Sequence, residues 1–413
     1  MENNKFDLNF KLVLISKTIS VFGGNILGFA MILFLVDFTA SAALLGMISA
    51  ISQAPMVIMT PFAGMIADRM NKKKLIVFFD VITALSNFFF LWLLLSNSYT
   101  IFNITILRMV KMSINTFAGT VFNASVPRIV KKEQLVGANG AIQSIAAIGL
   151  IGGSIVGGIL FGILTTEIIA FASGVLFLIS AGISLAIKIP YQKRTLTESM
   201  IKTVKTDMRQ SFTFLKNEKP IIFKLALMTA TITFIFPPIF SVGLPFIVEF
   251  VFNRHVTLSF GIAAIGMLAG GIFAGKLRNL LAIKYFPKWL LAIGATGIML
   301  GLGFLPQITN MTLAFWIFNF TLAALLFIFA LISSSVGAFV QSEVPAEILG
   351  KVTSLTGMIS LIAGPLGLIT VGFFINITPL YLFFFATTII TWIVSIIAKL
   401  TLAKFFKNNA EVS

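Results

Sequence analysis

Long apolar stretches separated by short polar connections dominate the sequence. A helix needs about 20 predominantly apolar residues to cross a bilayer, and twelve stretches of about this length can be drawn along the chain. The pattern therefore predicts an all-helical membrane protein. The predicted spans are 11–36, 41–67, 75–96, 100–123, 137–164, 167–187, 221–249, 256–275, 287–305, 312–340, 352–376 and 379–403.

Composition supports this class of protein. Hydrophobic residues make up 58% of the 413 positions and charged residues only 11%. A soluble protein needs a largely polar surface, so one water-exposed globule could not hide this much apolar area. The chain has no cysteine and one histidine, and we expect neither a disulfide nor a metal site or other cofactor. The first span is longer than a signal-peptide core and is expected to remain as a helix.

The basic residues predict the orientation. All but four of the 30 Lys and Arg residues lie on one side of the predicted spans. Because positive residues are retained in the cytoplasm, both termini are expected inside and the number of spans is expected to be even. The formal charge of +16 then faces anionic lipid, and no nucleic-acid partner is expected. The exceptions are Lys17, Arg108, Lys111 and Arg254.

One long hydrophilic connection divides the chain. It covers residues 188–220, between a predicted six-helix bundle at 1–187 and a second at 221–413. Apolar residues recur at helical spacing from Met200 to Leu215, which predicts a basic amphipathic helix on the inner leaflet. Its simplest role is to tether the two bundles.

Two short sequence repeats relate the two halves of the chain. Gly64–Arg69 after span 2 corresponds to Gly271–Lys276 after span 8, and Ser125–Pro127 corresponds to Glu343–Pro345. Repeats in corresponding positions of two six-span halves are typical of transporters that rock around a midplane site.

The connection between spans 2 and 3 carries the most informative motif. It reads Gly64-Met-Ile-Ala-Asp68-Arg69-Met-Asn-Lys72-Lys73-Lys74. This resembles the cytoplasmic signature of the major facilitator superfamily, G-x-x-x-D-R-x-x-[KR]-[KR]. The resemblance implies twelve transmembrane helices in two pseudo-symmetric six-helix bundles.

The resemblance also implies an inner gate at this connection, formed by Gly64, Asp68, Arg69, Lys73 and Asp80. Asp68 and Asp80 are predicted at the cytoplasmic ends of spans 2 and 3, within reach of Arg69. An ion pair broken on each cycle can bias two conformations by a few kcal/mol. The alternative is that these charges only fix topology.

Span 5 is rich in glycine at regular intervals. Its pattern resembles the antiporter signature G-x8-G-x3-G-P-x2-G-G, with serine where proline is usual. Glycines four residues apart clear one helix face for a close neighbour, and an ordinary packing face is the alternative to an antiporter element. The matching residues are Gly140, Gly149, Gly153, Ser154, Gly157 and Gly158.

Motifs in the second half narrow the resemblance. Gly266–Gly271, Leu349–Val352, Ser354–Gly357 and Gly364-Pro365 are similar to bacterial macrolide-efflux proteins and the related enterobactin-exporter branch. The resemblance implies proton-coupled export of a bulky molecule. Gly275-Lys276-Leu277 lacks the Ser or Thr of a phosphate loop, so no nucleotide partner is expected and an ion gradient is the expected energy source.

Charges inside the spans are the remaining candidates for chemistry. A central Lys or Arg costs roughly 2.5–3.5 kcal/mol on insertion, so it normally faces a wet cavity or a partner. Arg108, Lys111, Asn115 and Gly119 share one face of helix 4, and Arg108 matches the family's buried helix-4 arginine, linked there to proton coupling. A static ion pair is the alternative for Arg108. Lys17 could instead reach the interface with its long side chain.

The acidic residues offer no obvious proton carrier, and Asp37, Asp68 and Asp80 are the candidates. The three deep cations predict an anionic partner, which is either a carboxylate such as Asp37 or an acidic or zwitterionic substrate. Pro237 and Pro238 are predicted to break helix 7 and free carbonyls for a ligand or hinge. Further polar candidates for the substrate cavity are Asn25, Gln53, Asn115, Gln143, Asn319 and Ser333.

Together these features predict a monomeric, proton-linked exporter of an amphiphilic drug or metabolite in the cytoplasmic membrane of a bacterium. Its partners are a small-molecule substrate and the lipid bilayer. A siderophore or lipid exporter of the same fold is the first alternative. The second alternative is a passive channel or a non-transporting scaffold. The gate motif at Asp68 and Arg69 counts against it, because neither kind of protein needs a gate.

Overall fold

The computed structural model describes residues 7–131, 134–190, 200–254 and 256–410. Most of these residues are helical, and most helix ends fall within about three residues of the predicted spans. The helices before the long connection are α1 Leu8–Thr39, α2 Ala42–Arg69, α3 Lys72–Leu95, α4 Ile101–Ser125, α5 Leu135–Ile163 and α6 Thr166–Ala186.

The second part of the chain begins with the linker helix. Here α7 covers Met200–Asn217, the stretch whose apolar spacing predicts an amphipathic helix. The helices that follow are α8 Pro220–Pro238, α9 Leu244–Phe246, α10 Val256–Lys276, α11 Phe286–Leu302, α12 Met311–Glu343, α13 Ala346–Ile377 and α14 Leu380–Ala410.

Eleven segments within the described ranges are long and apolar enough to cross a membrane. The predicted span that is not among these eleven segments is α4. Its 25 residues are enough to cross a membrane, but its sequence is more polar. The polar residues of α4 include Arg108, Lys111, Asn103, Asn115 and Asn123. Lys111 and Asn115 line a cavity, so the low hydropathy of α4 reflects polar side chains that face the protein interior.

The chain forms two compact units. The first runs up to Phe38 and from Ile51 to Lys202, and the second contains Thr39–Ala50 together with the chain from Thr203 onward. The first turns of α2 thus belong to the second unit, where Gly46 lies against the backbone of Leu368 and the Cα of Gly372. A side chain at Gly46 would collide with that backbone, so glycine permits this close helix approach.

Helix pairing repeats between the units. In the first unit α3 packs against α6, and in the second α11 packs against α14. The first unit also brings the glycines of α5 onto α1, and the second packs α13 against α8. The third and sixth spans, and the first and fifth, are therefore partners in each half.

The prolines of α8 do not break the helix. The chain stays helical to Val251, and two π-helical turns, Ile239–Gly243 and Ile247–Val251, follow the prolines. The carbonyl of Phe234, which Pro238 cannot pair, lies against Gly367 of α13. The predicted break is therefore wrong, because a wider helical turn and a close neighbouring helix accommodate the prolines.

Candidate functional site

A cavity of about 430 Å³, with charged and polar groups set in a largely apolar wall, lies inside the first unit. It is lined by residues of α1, α3, α4, α5 and α6, which are membrane-spanning helices. Its polar and charged lining residues are Ser16, Lys17, Ser20, Asn25, Asp80, Thr83, Lys111 and Asn115, and its apolar wall includes Val21, Ile76, Leu150, Phe122 and Phe177.

Lys17 and Asp80 face this cavity from neighbouring helices. The residue Asp80 is 9% exposed, and its carboxylate is close enough to the Lys17 ammonium group for an electrostatic interaction. The Lys17 Nζ atom also lies 4.5 Å from the centre of the Phe122 ring, a cation–π distance. Lys17 therefore lines the cavity, against an aromatic face and within the electrostatic influence of a carboxylate.

A cluster of serine hydroxyls surrounds the Asp80 carboxylate. Ser180 donates to one carboxylate oxygen at 2.8 Å, and Ser20 donates to the other at 3.5 Å. Ser16 continues the cluster, with hydroxyl contacts to Ser180 at 2.9 Å and to Ser184 at 2.8 Å. Helices α1, α3 and α6 are thus joined by hydrogen bonds around one carboxylate, and these bonds satisfy polar groups that lipid could not.

Lys111 is held by a second chain of hydrogen bonds. Its Nζ atom donates to Asn87 Oδ1 at 2.8 Å and lies 3.7 Å from the sulfur of Met31. Asn87 is fully buried and donates to Ser173, which in turn donates to the carbonyl of Gly23. The position of the ammonium group is therefore fixed by three helices, α3, α6 and α1.

Arg108 lies one turn from Lys111 on α4. Its Nε atom is buried and has no hydrogen-bond partner among the described residues. The two cations are close enough to interact unfavourably. Two like charges in a low-dielectric interior are costly unless an anion offsets them.

The structure changes the interpretation of the acidic residues. Asp80 lies about 12 Å inside the start of α3, because the helix begins at Lys72 and rises about 1.5 Å per residue. It faces the cavity cations, whereas the sequence predicts it at the gate. Asp37 is exposed, about 30 Å along α1 from Lys17. Asp80, and not Asp37, is the carboxylate near Lys17.

The gate motif is described only in part. The side chains of Asp68 and Arg69, and the surroundings of Gly64, lie outside the described part of the structure. Lys73 is half-buried at the start of α3, and its neighbour Lys72 is 3% exposed and donates to the carbonyl of Ala67 at 2.7 Å. Gating by this connection stays a prediction.

The glycines of α5 meet α1. Gly149 lies against Val21, Gly153 against Asn25, and Gly157 against Ile26 and Phe29. Gly140 has open space where a side chain would be, Gly158 is buried, and Ser154 donates to the carbonyl of Leu150. The helix that α5 approaches therefore carries Lys17 and Asn25 of the cavity.

The other predicted cavity residues divide into two groups. Asn25 and Asn115 line the cavity of the first unit, and Gln53 and Gln143 do not. In the second unit, Ser333 is exposed and donates to the carbonyl of Phe329. Asn319 is buried and donates to Phe315, while its Oδ1 atom has no hydrogen-bond partner among the described residues.

Sequence reasoning missed the serines and Asn87. The signal was present in the spacing: Ser16 and Ser20 are four residues apart on α1, and Ser173, Ser180 and Ser184 are seven and four apart on α6. These spacings place polar groups on one face of each apolar helix. Such a face in a membrane span indicates contact with a partner helix or a cavity.

Sequence comparison places the chain among transporters. The family model of the Major Facilitator Superfamily matches residues 13–368. The chain is 28% identical over 378 residues to macrolide efflux protein A of Streptococcus pyogenes, a match that covers 89% of each protein. It is also 28% identical over 337 residues to macrolide efflux protein A of Enterococcus faecalis, covering 79% of this chain and 99% of that protein.

Solved structures confirm the predicted fold class. The crystal structure of the nucleoside transporter NupG superposes with a TM-score of 0.73 at 14% identity, covering 96% of this chain and 99% of that chain. A bacterial homologue of the iron transporter ferroportin, in its inward-facing state, gives a TM-score of 0.70 at 17% identity, covering 96% and 98%. These likenesses concern the fold alone.

Proposed function

We propose that this chain, which belongs to the Major Facilitator Superfamily, is a proton-coupled exporter of an amphiphilic drug or metabolite. The family consists of multi-pass membrane transporters and not enzymes. The proposed location is the cytoplasmic membrane of a bacterium, with both termini inside, as the distribution of Lys and Arg favours.

The observation that carries the proposal is a charged cavity within membrane-spanning helices. Lys17, Asp80 and Lys111 line one cavity whose wall also carries Phe122 and Phe177. Ionisable residues at such depth are costly, and they typically mark a substrate or proton pathway. Aromatic and aliphatic walls with a few fixed polar groups are the usual form of a site for a small organic ligand.

The substrate class is proposed from the relatives and the cavity together. Two bacterial relatives are named macrolide efflux proteins, and their matches extend over most of both chains. At 28% identity the same substrate does not follow, so we propose an amphiphile of macrolide-like size and leave siderophore or lipid export as the alternative.

We propose Asp80 as the proton carrier. Its carboxylate is mostly buried, faces the cavity and is held by hydroxyl groups of Ser20 and Ser180. Lys17 is a nearby cation whose charge acts on this carboxylate. A proton on Asp80 would weaken its attraction to Lys17, so protonation and the arrangement of α1 and α3 are coupled.

Transport in proteoliposomes tests the proposal. Vesicles with the cytoplasmic face outward are loaded at acidic pH, diluted into neutral buffer and given a radiolabelled macrolide. Proton-coupled export predicts accumulation above the external concentration that a protonophore abolishes, and empty liposomes give the background.

Two results would contradict the proposal. Equilibration without accumulation, at either sign of the pH gradient, would indicate a passive channel. Absence of movement for a panel of macrolides, siderophores and fluorescent lipids would indicate a non-transporting protein.

A further inference from the structure

The cavity of the first unit holds more positive than negative charge. Lys17 and Lys111 line it, and Asp80 is the acidic residue in its described lining. Asp80 lies near enough to Lys17 to offset its charge electrostatically. Lys111 has no such carboxylate in that lining, and Arg108, one turn away, adds a second positive charge that repels it.

Among the residues that the structure describes, the ammonium group of Lys111 has unused hydrogen-bonding capacity. It carries three donors, of which one reaches the neutral amide oxygen of Asn87 and another points to the weak acceptor sulfur of Met31. The remaining donor belongs to a side chain that lines the cavity. The buried Arg108 Nε atom, which has no hydrogen-bond partner within the described ranges, adds a second donor with unmet capacity.

We propose that Lys111, reinforced by Arg108, binds an anionic group, most simply a carboxylate, of an amphiphilic substrate. This rests on the proposed function, because it takes the cavity to be part of the transport pathway. The aromatic rings of Phe122 and Phe177 would contact the apolar part of the same ligand. Asp80 would repel a ligand carboxylate placed near Lys17. A zwitterionic ligand would therefore place its amine toward Asp80 and its carboxylate toward Lys111.

A matched ligand pair tests the charge preference. Dansyl-leucine and its methyl ester differ by one carboxylate, and the fluorescence of both increases in an apolar site. Binding to the full-length protein in nanodiscs is expected to favour the acid over the ester by about tenfold, the effect of one charge-assisted hydrogen bond. Lys111→Gln should reduce this preference to less than about twofold, and Lys111→Arg should retain it.

Asn87 offers a sharper variant. Asp has nearly the same shape as Asn, so Asn87→Asp places a carboxylate 2.8 Å from the ammonium group that Asn87 now contacts. This variant keeps Lys111 but satisfies it internally, and it should lose the preference for the acid while still binding the ester. Lys188→Gln is the control, because Lys188 is exposed and contacts Asn9 through its backbone atoms.

The outcomes separate this inference from the proposed function. Equal binding of acid and ester by the parent protein, or an unchanged preference in both Lys111→Gln and Asn87→Asp, overturns the inference even if macrolide accumulation is proton-driven. A preference that Lys111→Gln and Asn87→Asp both abolish supports the anion site even if no uphill transport is found. Thermal unfolding of each variant identifies loss of binding that comes from misfolding.

Discussion

The hydroxyl of Ser180 on α6 donates a 2.8 Å hydrogen bond to the Asp80 carboxylate on α3. Ser180 is fully buried, and its hydroxyl also contacts Ser16 and Ser20 of α1. The carboxylate therefore has a fixed position between three membrane-spanning helices. A substitution that removes the charge of Asp80 but preserves this packing therefore separates the chemical role of the carboxylate from its structural role.

Asp80→Asn should uncouple transport from the pH gradient. The amide oxygen can still accept the bond from Ser180, so the helices should stay packed, but the side chain can no longer carry a proton. Uphill accumulation should fall by at least about tenfold, while substrate exchange between equal pools should continue. Both rates are measured in the same proteoliposomes.

Glu218→Gln is the matched control for this carboxylate-to-amide change, because Glu218 is exposed at the end of α7. It should transport as the parent does. Full pH-driven accumulation by Asp80→Asn would contradict the assignment of Asp80 as the carrier.

Asp68→Asn tests the predicted gate. The variant should insert normally, since Lys72, Lys73 and Lys74 remain to set topology. Loss of the predicted pair with Arg69 should slow turnover by about tenfold, the effect of roughly 1.4 kcal/mol on one conformational step. Initial transport rates at saturating substrate give the measurement, with Asp7→Asn as the control. A turnover rate equal to that of the parent would leave the connection with a topological role only.

Gly157→Ala should destabilise the first unit. A methyl group at this position would lie 2.8 Å from the carbonyl oxygen of Ile26, a backbone atom that cannot rotate away. Separating α5 from α1 should cost about 1–3 kcal/mol and lower the unfolding temperature in detergent. Gly140→Ala is the control, because a methyl group there would have no atom within 4 Å. Equal unfolding temperatures for the two variants would show that the α1–α5 contact is more adaptable than the structure indicates.

The ion pair between Lys219 and Glu343 should contribute little stability. Its atoms are 2.7 Å apart, but the side chains are 33% and 27% exposed, so water screens the pair. A double-mutant cycle with Lys219→Gln and Glu343→Gln is expected to give a coupling energy below about 1 kcal/mol. The cycle is measured by thermal unfolding, and a coupling several times larger would indicate a role in holding the ends of α8 and α12 together.

The order of the spans could be predicted from the sequence because hydrophobic length is a local property. A run of about 20 apolar residues forms a helix in lipid whatever surrounds it, and the observed helices follow the predicted runs. Two motifs pointed to the family: the connection from Gly64 to Lys74 and the glycines of span 5. Each lies within one helix or connection, so its spacing can be read directly from the sequence. The glycine pattern also predicted a close helix neighbour.

Only the tertiary structure decided which groups meet. That Asp80 faces Lys17, and that Asn87 holds Lys111, depends on the rotation and depth of α1, α3 and α4, which the sequence does not specify. Pro237 and Pro238 show the same limit: their missing N–H groups were evident, but the π-helical turn and the approach of Gly367 depend on packing with α13. Apolar length and helical spacing are encoded within single segments, whereas the charge balance of a cavity is set by side chains distant in sequence.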